Sequence, residues 1–116
     1  AIEENINEGK SVILKIEVEG AGNVRKIYPD AISIFIMPPS FNELSRRLKN
    51  RGTETPEDIE RRLKIAETEM NRAKEYDYIV INDDLTTCVN DVLSVIKAER
   101  LKYSNMKNTV KKIINN

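Results

Sequence analysis

Three short apolar runs set the frame: VILKIEV (Val12–Val18), AISIFIM (Ala31–Met37) and YIVI (Tyr78–Ile81), with helical periodicity in between. The second and third are almost unbroken and rich in β-branched residues, the pattern of strands covered on both faces of a parallel sheet. The first carries Lys15 and Glu17, so it keeps one face polar toward its carboxyl end. The order reads β-α-β-α-α-β-α, an α/β layered arrangement.

The helices announce their starts. Ser40 and Glu43 form an S-x-x-E capping box directly after Pro38-Pro39, with Phe41, Leu44 and Leu48 on one face. Thr55 caps the next helix, with Pro56 in its first turn and Asp58 in the reciprocal position. Ile59, Leu63, Ala66, Met70 and Ala73 then recur at steps of four and three, an amphipathic stripe. Asp83 or Asp84 begins another helix, with Leu85, Val89, Val92 and Ile96 expected inward. A lysine-rich tail from Lys102 carries a weaker stripe of Met106, Val110 and Ile113.

A chain of 116 residues supports one modest core and not two domains. Basic and acidic residues number 19 each, so no global field attracts nucleic acid or an acidic membrane. The one cysteine, Cys88, excludes a disulfide within the chain and fits a reducing, cytoplasmic compartment. On the apolar side of its helix it reads as a packed thiol. With no histidine, triads and metal sites built on imidazole are excluded. No apolar run reaches membrane-spanning length. The opening AIEENINEGK reads as mid-helix, and truncation or processing before Ala1 is the expectation it raises.

Two glycine motifs are decoys. GKS at Gly9–Ser11 precedes a strand, and Glu4 stands where a phosphate loop needs an earlier glycine, so a turn explains it. EGAGNV (Glu19–Val24) lacks the third glycine of a dinucleotide fingerprint; close packing at a strand-to-helix turn is the expectation. Glu17 and Glu19 then fall at the carboxyl end of the first strand, where open α/β sheets bind ligands. Position alone does not separate a nucleotide- or magnesium-orienting acid from an exposed strand end. Asn82-Asp83-Asp84 follows the last strand; capping accounts for Asp84 and leaves Asn82 and Asp83 open.

The segment RRLKNRGTETPEDIERRLKIAETEM (residues 46–70) holds five arginines around one glycine turn in a chain of zero net charge. Arg47 and Arg51 are four apart and share a helix side, and Arg62 flanks the stripe of the next helix. Two readings stand together. Glu43–Arg47 and Asp58–Arg62 are ordinary surface pair spacings; a fold-back across the turn would instead converge three guanidinium forks on a small anion such as phosphate.

VILKIEVEGAGNV, then PDAISIFIMPPSFNELSRRLKNRGTETPEDIERRLKIAETEM, then YDYIVINDDL together resemble the carboxyl-terminal part of guanylate kinase, from about Ala1 to Ala98. The resemblance implies part of a P-loop kinase-type parallel sheet with flanking helices and a helical lid. Its divisions are core at 1–39, lid at 40–75, core at 76–101 and a polar tail at 102–116. It implies an enzyme that phosphorylates GMP with ATP and Mg²⁺, whose lid carries Arg47, Arg51 and Arg62 to the transferred phosphates. Glu17 matches the family's second strand acid, and Asn82 and Asp83 match its ATP side. Lys15 stands where the first acid is usual, and Glu19 where glutamine is usual.

The resemblance also places the P-loop before this chain begins, so an amino-terminal half or a second copy is the expected partner and the chain alone is expected to be inactive. Strands Val12–Val18 and Ala31–Met37 would flank that absent strand, and the edges so exposed are expected to pair directly with each other, with a second copy or with a bound amino-terminal piece. A guanylate-kinase-like interaction module is the competing reading; retention of all three arginines speaks against it, because such a module needs no phosphate clamp.

Overall fold

The computed structural model describes residues 18–52 and 54–116. It divides into two compact units, Ala1–Ala31 and Ile32–Asn116. In the first, helix α1 spans Val18–Ile27, with Glu19 in its first turn and Arg25 and Lys26 in its last. That polarity complements the helix dipole. Tyr28 N–H donates to the Val24 carbonyl (2.7 Å) and Ala31 N–H to the Tyr28 carbonyl (3.0 Å), closing the turn beyond the helix.

This corrects the reading of the first apolar run at its carboxyl end. Val18 opens a helix, Glu19 lies in its first turn rather than on a strand end, and the two glycines of EGAGNV are helical. The complementary end charges favour the helix, against the cost of the two glycines in its interior. The remainder of the run, Val12 to Glu17, lies outside the described residues, and so does the pairing expected of that strand.

The second unit is built on two parallel strands, β1 (Ile34–Met37) and β2 (Tyr78–Ile81), in register from Ile34 opposite Tyr78 to Met37 opposite Ile81. β1 is shorter than the apolar run suggested, because Ser33 is committed to a clasp. Its N–H (2.9 Å) and its hydroxyl (3.1 Å) both donate to Asp77 Oδ2. Asp77 N–H donates back to the Ser33 hydroxyl (3.1 Å). At the other end Asn82 N–H donates to the Met37 carbonyl at 2.7 Å and extends the ladder by one rung.

Between the strands lie α2 (Phe41–Asn50), α3 (Pro56–Met70) and a 3₁₀ turn (Ala73–Glu75). Ser40 Oγ accepts from Glu43 N–H, and Thr55 Oγ1 from Asp58 N–H, as the capping signals predict. Gly52 ends the α2 side of the turn with φ +68°. After β2, α4 runs Leu85–Arg100 and α5 Tyr103–Ile114. Asp84 caps α4 by accepting from both the N–H (3.0 Å) and the hydroxyl (2.9 Å) of Thr87, and the Thr87 backbone donor, with the hydroxyl behind it, holds the Asp84 carboxyl below its ordinary range.

Alternation along β2 places Tyr78 and Val80 on one face. The Tyr78 hydroxyl donates to the carboxylate of Glu99 near the end of α4, so this face meets α4, and Val80 and Cys88 are buried. Glu99 is buried as well, with Lys102 Nζ 3.0 Å from its carboxylate. The Tyr78 hydroxyl first, and Lys102 second, keep Glu99 ionised below its ordinary range. The bond to Glu99 correspondingly pushes the Tyr78 phenol up.

The inward face of α4 also needs correction. Cys88 and Glu99 are its buried residues, while Leu85 is 72% and Val89 47% exposed. The helix is apolar on two sides, and the Tyr78–Glu99 bond selects the side carrying Cys88. Among the described residues, no helix is long and apolar enough to cross a membrane.

Candidate functional site

The carboxyl ends of β1 and β2 face the same way because the strands are parallel, and in open α/β sheets ligands bind beyond such ends. Two residue sets lie there: Pro38-Pro39-Ser40 leading into α2, and Asn82-Asp83-Asp84 leading into α4. Ser40 caps α2, and Arg47, two turns along that helix, reaches the end of β2. Its Nη1 donates to the Asn82 backbone carbonyl at 2.9 Å. Two positions singled out by sequence are thereby joined across the strand ends.

Arg47 is also held from its own helix, since Nε donates to Glu43 Oε1 at 3.0 Å. The Glu43 carboxylate receives Arg46 as well, through both Nε (2.9 Å) and Nη2. The sequence assigned Glu43 a reciprocal capping role. Its backbone N–H does bond the Ser40 hydroxyl, but the carboxylate is turned to the two arginines, whose charge-assisted bonds are the stronger option.

Hydrogen bonding from Arg46, with Arg47 behind it, lowers the Glu43 pKa from 4.5 to about 2. A depressed carboxyl pKa stabilises the fold above the unfolded value, and that stabilisation disappears as pH falls toward the folded one. The difference in urea midpoint between the parent and Glu43→Gln is therefore expected to hold steady above pH 5 and to shrink between about pH 4.5 and 2. A difference that stayed constant down to pH 2 would show that these bonds do not contribute to stability.

Arg62 does not take the partner that spacing offered. Asp58 pairs instead with Arg61 (2.9 Å), and Arg62 Nη2 lies 2.9 Å from Glu54 Oε1. Glu54 precedes the Thr55 cap, outside any helical i,i+4 relation, so periodicity gives no signal for this pair. Arg51 follows α2 as its C-cap and is exposed, with no ion-pair partner among the described residues. Asp83 is exposed between Asn82 and the capping Asp84. Glu17 lies outside the described residues.

The arrangement is an arginine-bearing helical hairpin attached at the carboxyl ends of a parallel sheet. Arg47 and Arg62 are each paired with one carboxylate, Glu43 and Glu54, and a guanidinium fork matches phosphate oxygens. Among the described residues, no group of three or more Cys, Asp or Glu side chains is placed to hold a metal.

An α/β class with an arginine-bearing helical hairpin at the strand ends is what this geometry defines, and comparison with known proteins narrows it. The family model for guanylate kinase matches residues 1–99. A curated guanylate kinase of Polaromonas sp. strain JS666 is 49% identical over 104 residues, 90% of this chain and 50% of that protein. The guanylate kinase of Chromobacterium violaceum is 48% identical over 97 residues, covering 84% of this chain and 46% of its own. The crystal structure of guanylate kinase from Anaplasma phagocytophilum aligns with a TM-score of 0.72 at 32% identity, over 87% of this chain and 47% of that one. The chain belongs to the guanylate kinase family, and it spans about half the length of the curated relatives it matches.

Proposed function

We propose that these residues are the carboxyl-terminal, lid-bearing portion of a cytoplasmic guanylate kinase that transfers the γ-phosphoryl group of ATP to GMP. A GMP phosphate oxygen forms the new P–O bond, the bond between the γ-phosphorus and the β–γ bridging oxygen breaks, and ADP and GDP leave. The observation that carries this reading is the Arg47 guanidinium, which extends from α2 to the Asn82 carbonyl at the strand ends (2.9 Å).

Phosphoryl transfer asks for positioning and for neutralisation of charge spread over the transferred oxygens. In this reading residues 40–75 form the lid, and residues 1–39 and 76–101 belong to the core. Arg47, Arg51 and Arg62 supply the guanidinium forks. Glu17 is the strand acid near GMP, and Asn82 and Asp83 lie on the ATP side. Closing the lid excludes water and brings the forks to the phosphates. For Arg47 closure exchanges a neutral carbonyl partner for a charged phosphate oxygen, which favours the closed form once nucleotide is bound.

Mg²⁺ takes few protein ligands and binds nucleotide phosphates directly. In the full-length protein Mg²⁺ and ATP are the expected cofactors, and among the described residues no group of three or more Cys, Asp or Glu side chains is placed to hold the ion. The test uses the full-length protein that contains these residues, with ATP and either GMP or AMP. ADP formation that depends on GMP and not on AMP is the expected result. A folded full-length protein that binds neither nucleotide and turns over none would replace the proposal with the interaction-module reading.

A further inference from the structure

We infer that Glu54 is a positioning residue for Arg62, holding its guanidinium from behind so that the remaining N–H groups face the transferred phosphate; this rests on the lid reading above. The pair is asymmetric. Arg62 is 49% exposed and Glu54 only 14%, with 2.9 Å between Nη2 and Oε1. A surface pair formed for solubility would leave both groups in water. Here the carboxylate is sunk in the α2–α3 turn and the cation stands out from it.

The other oxygen, Oε2, is buried and has no hydrogen-bond partner. An unpaired buried acceptor is costly to retain, so the turn holds this carboxylate at a position that hydrogen bonding to Oε2 does not explain. Its placement just before the Thr55 cap is favourable for charge, because the amino-terminal end of α3 carries the positive end of the helix dipole. The orientation therefore comes from the helix start and is passed to the guanidinium through one contact. A planar guanidinium has five N–H donors, and one nitrogen is engaged.

Glu54 immediately precedes the Thr55 cap of α3 and Arg62 lies within that helix, so they move together when the lid moves. Arg47 differs, because its bond to Asn82 joins the lid to the sheet. Arg62 thus arrives already oriented, as the outer partners of metal ligands do for the groups they hold.

The test is a cycle in the full-length enzyme. Glu54→Ala is expected to lower kcat about tenfold, the lower end of the outer-partner scale, with KM for both nucleotides changed by less than about threefold. Glu54→Gln keeps an acceptor oxygen and the side-chain shape, so its loss is expected to be about threefold; it serves if the alanine variant does not fold. In an Arg62→Ala background both changes are expected to have no further effect on kcat, the non-additivity of groups acting as one unit. Added guanidinium ion is expected to restore part of the activity of Arg62→Ala and none of that of Glu54→Ala/Arg62→Ala. Additive losses, a kcat unchanged by either Glu54 substitution, or rescue independent of Glu54 would overturn the inference while leaving the lid reading in place. An Arg62→Ala variant with parental kcat would overturn both.

Discussion

If the proposed function holds, replacement of Arg47, Arg51 or Arg62 by alanine in the full-length protein is expected to lower kcat by about 10³-fold, the scale on which arginines act on a transferring phosphoryl group. KM is expected to move much less, because the charge these groups neutralise is greatest in the transition state. The structure adds distinctions among the three. Arg51 has no ion-pair partner to give up among the described residues, Arg47 must release the Asn82 carbonyl, and Arg62 keeps Glu54. Steady-state and single-turnover rates of the three variants check the expectation. A double replacement that left kcat within about threefold of the parent would remove the arginines from the chemistry.

The second large effect concerns the 116 residues by themselves, which are expected to show no GMP-dependent ATP turnover. The chain contains no G-x-x-x-x-G-K segment to cradle the ATP phosphates, and no histidine. On the proposed lid reading, arginines without a phosphate loop have no held substrate to close upon, and most of the rate advantage of phosphoryl transfer lies in positioning. The expectation is checked by following ADP release with protein shown to be free of host kinase. Turnover above the buffer background would mean that a different phosphate-binding element exists within these residues.

Local chemistry was legible where a residue and its partner lie within one helical turn. Ser40, Thr55 and Asp84 each cap the helix they were expected to cap. The YIVI run forms β2 with the predicted bounds. Contacts between segments distant in sequence were not legible. Ser33 and Asp77 clasp the two strand starts, and Tyr78 reaches Glu99 on α4. Neither pair has a periodic spacing: the first follows from the strands lying side by side, and the second from α4 packing on β2.

α4 shows the limit from another direction. Leu85, Val89 and Leu93 make as good a stripe as Cys88, Val92 and Ile96, so periodicity could not choose, and one bond from Tyr78 did. At the candidate site, the arginine cluster was visible from composition and the Glu43–Arg47 pair from spacing. Arg62's attachment to Glu54 crosses a helix cap, and Arg47's to Asn82 crosses between segments 35 residues apart, so neither leaves a trace in the pattern.

The angle between the two arginine-bearing helices hangs on Gly52. Its φ is +68°, yet a Cβ built there would meet no atom within 4 Å. Steric room is therefore not what favours glycine; the torsion is, since left-handed backbone disfavours every residue with a side chain. The single peptide swivel at Gly52 is where a substitution would act on the backbone itself: Gly52→Ala would bias the chain away from the φ that aims Arg47 and Arg62, while both arginines remained present.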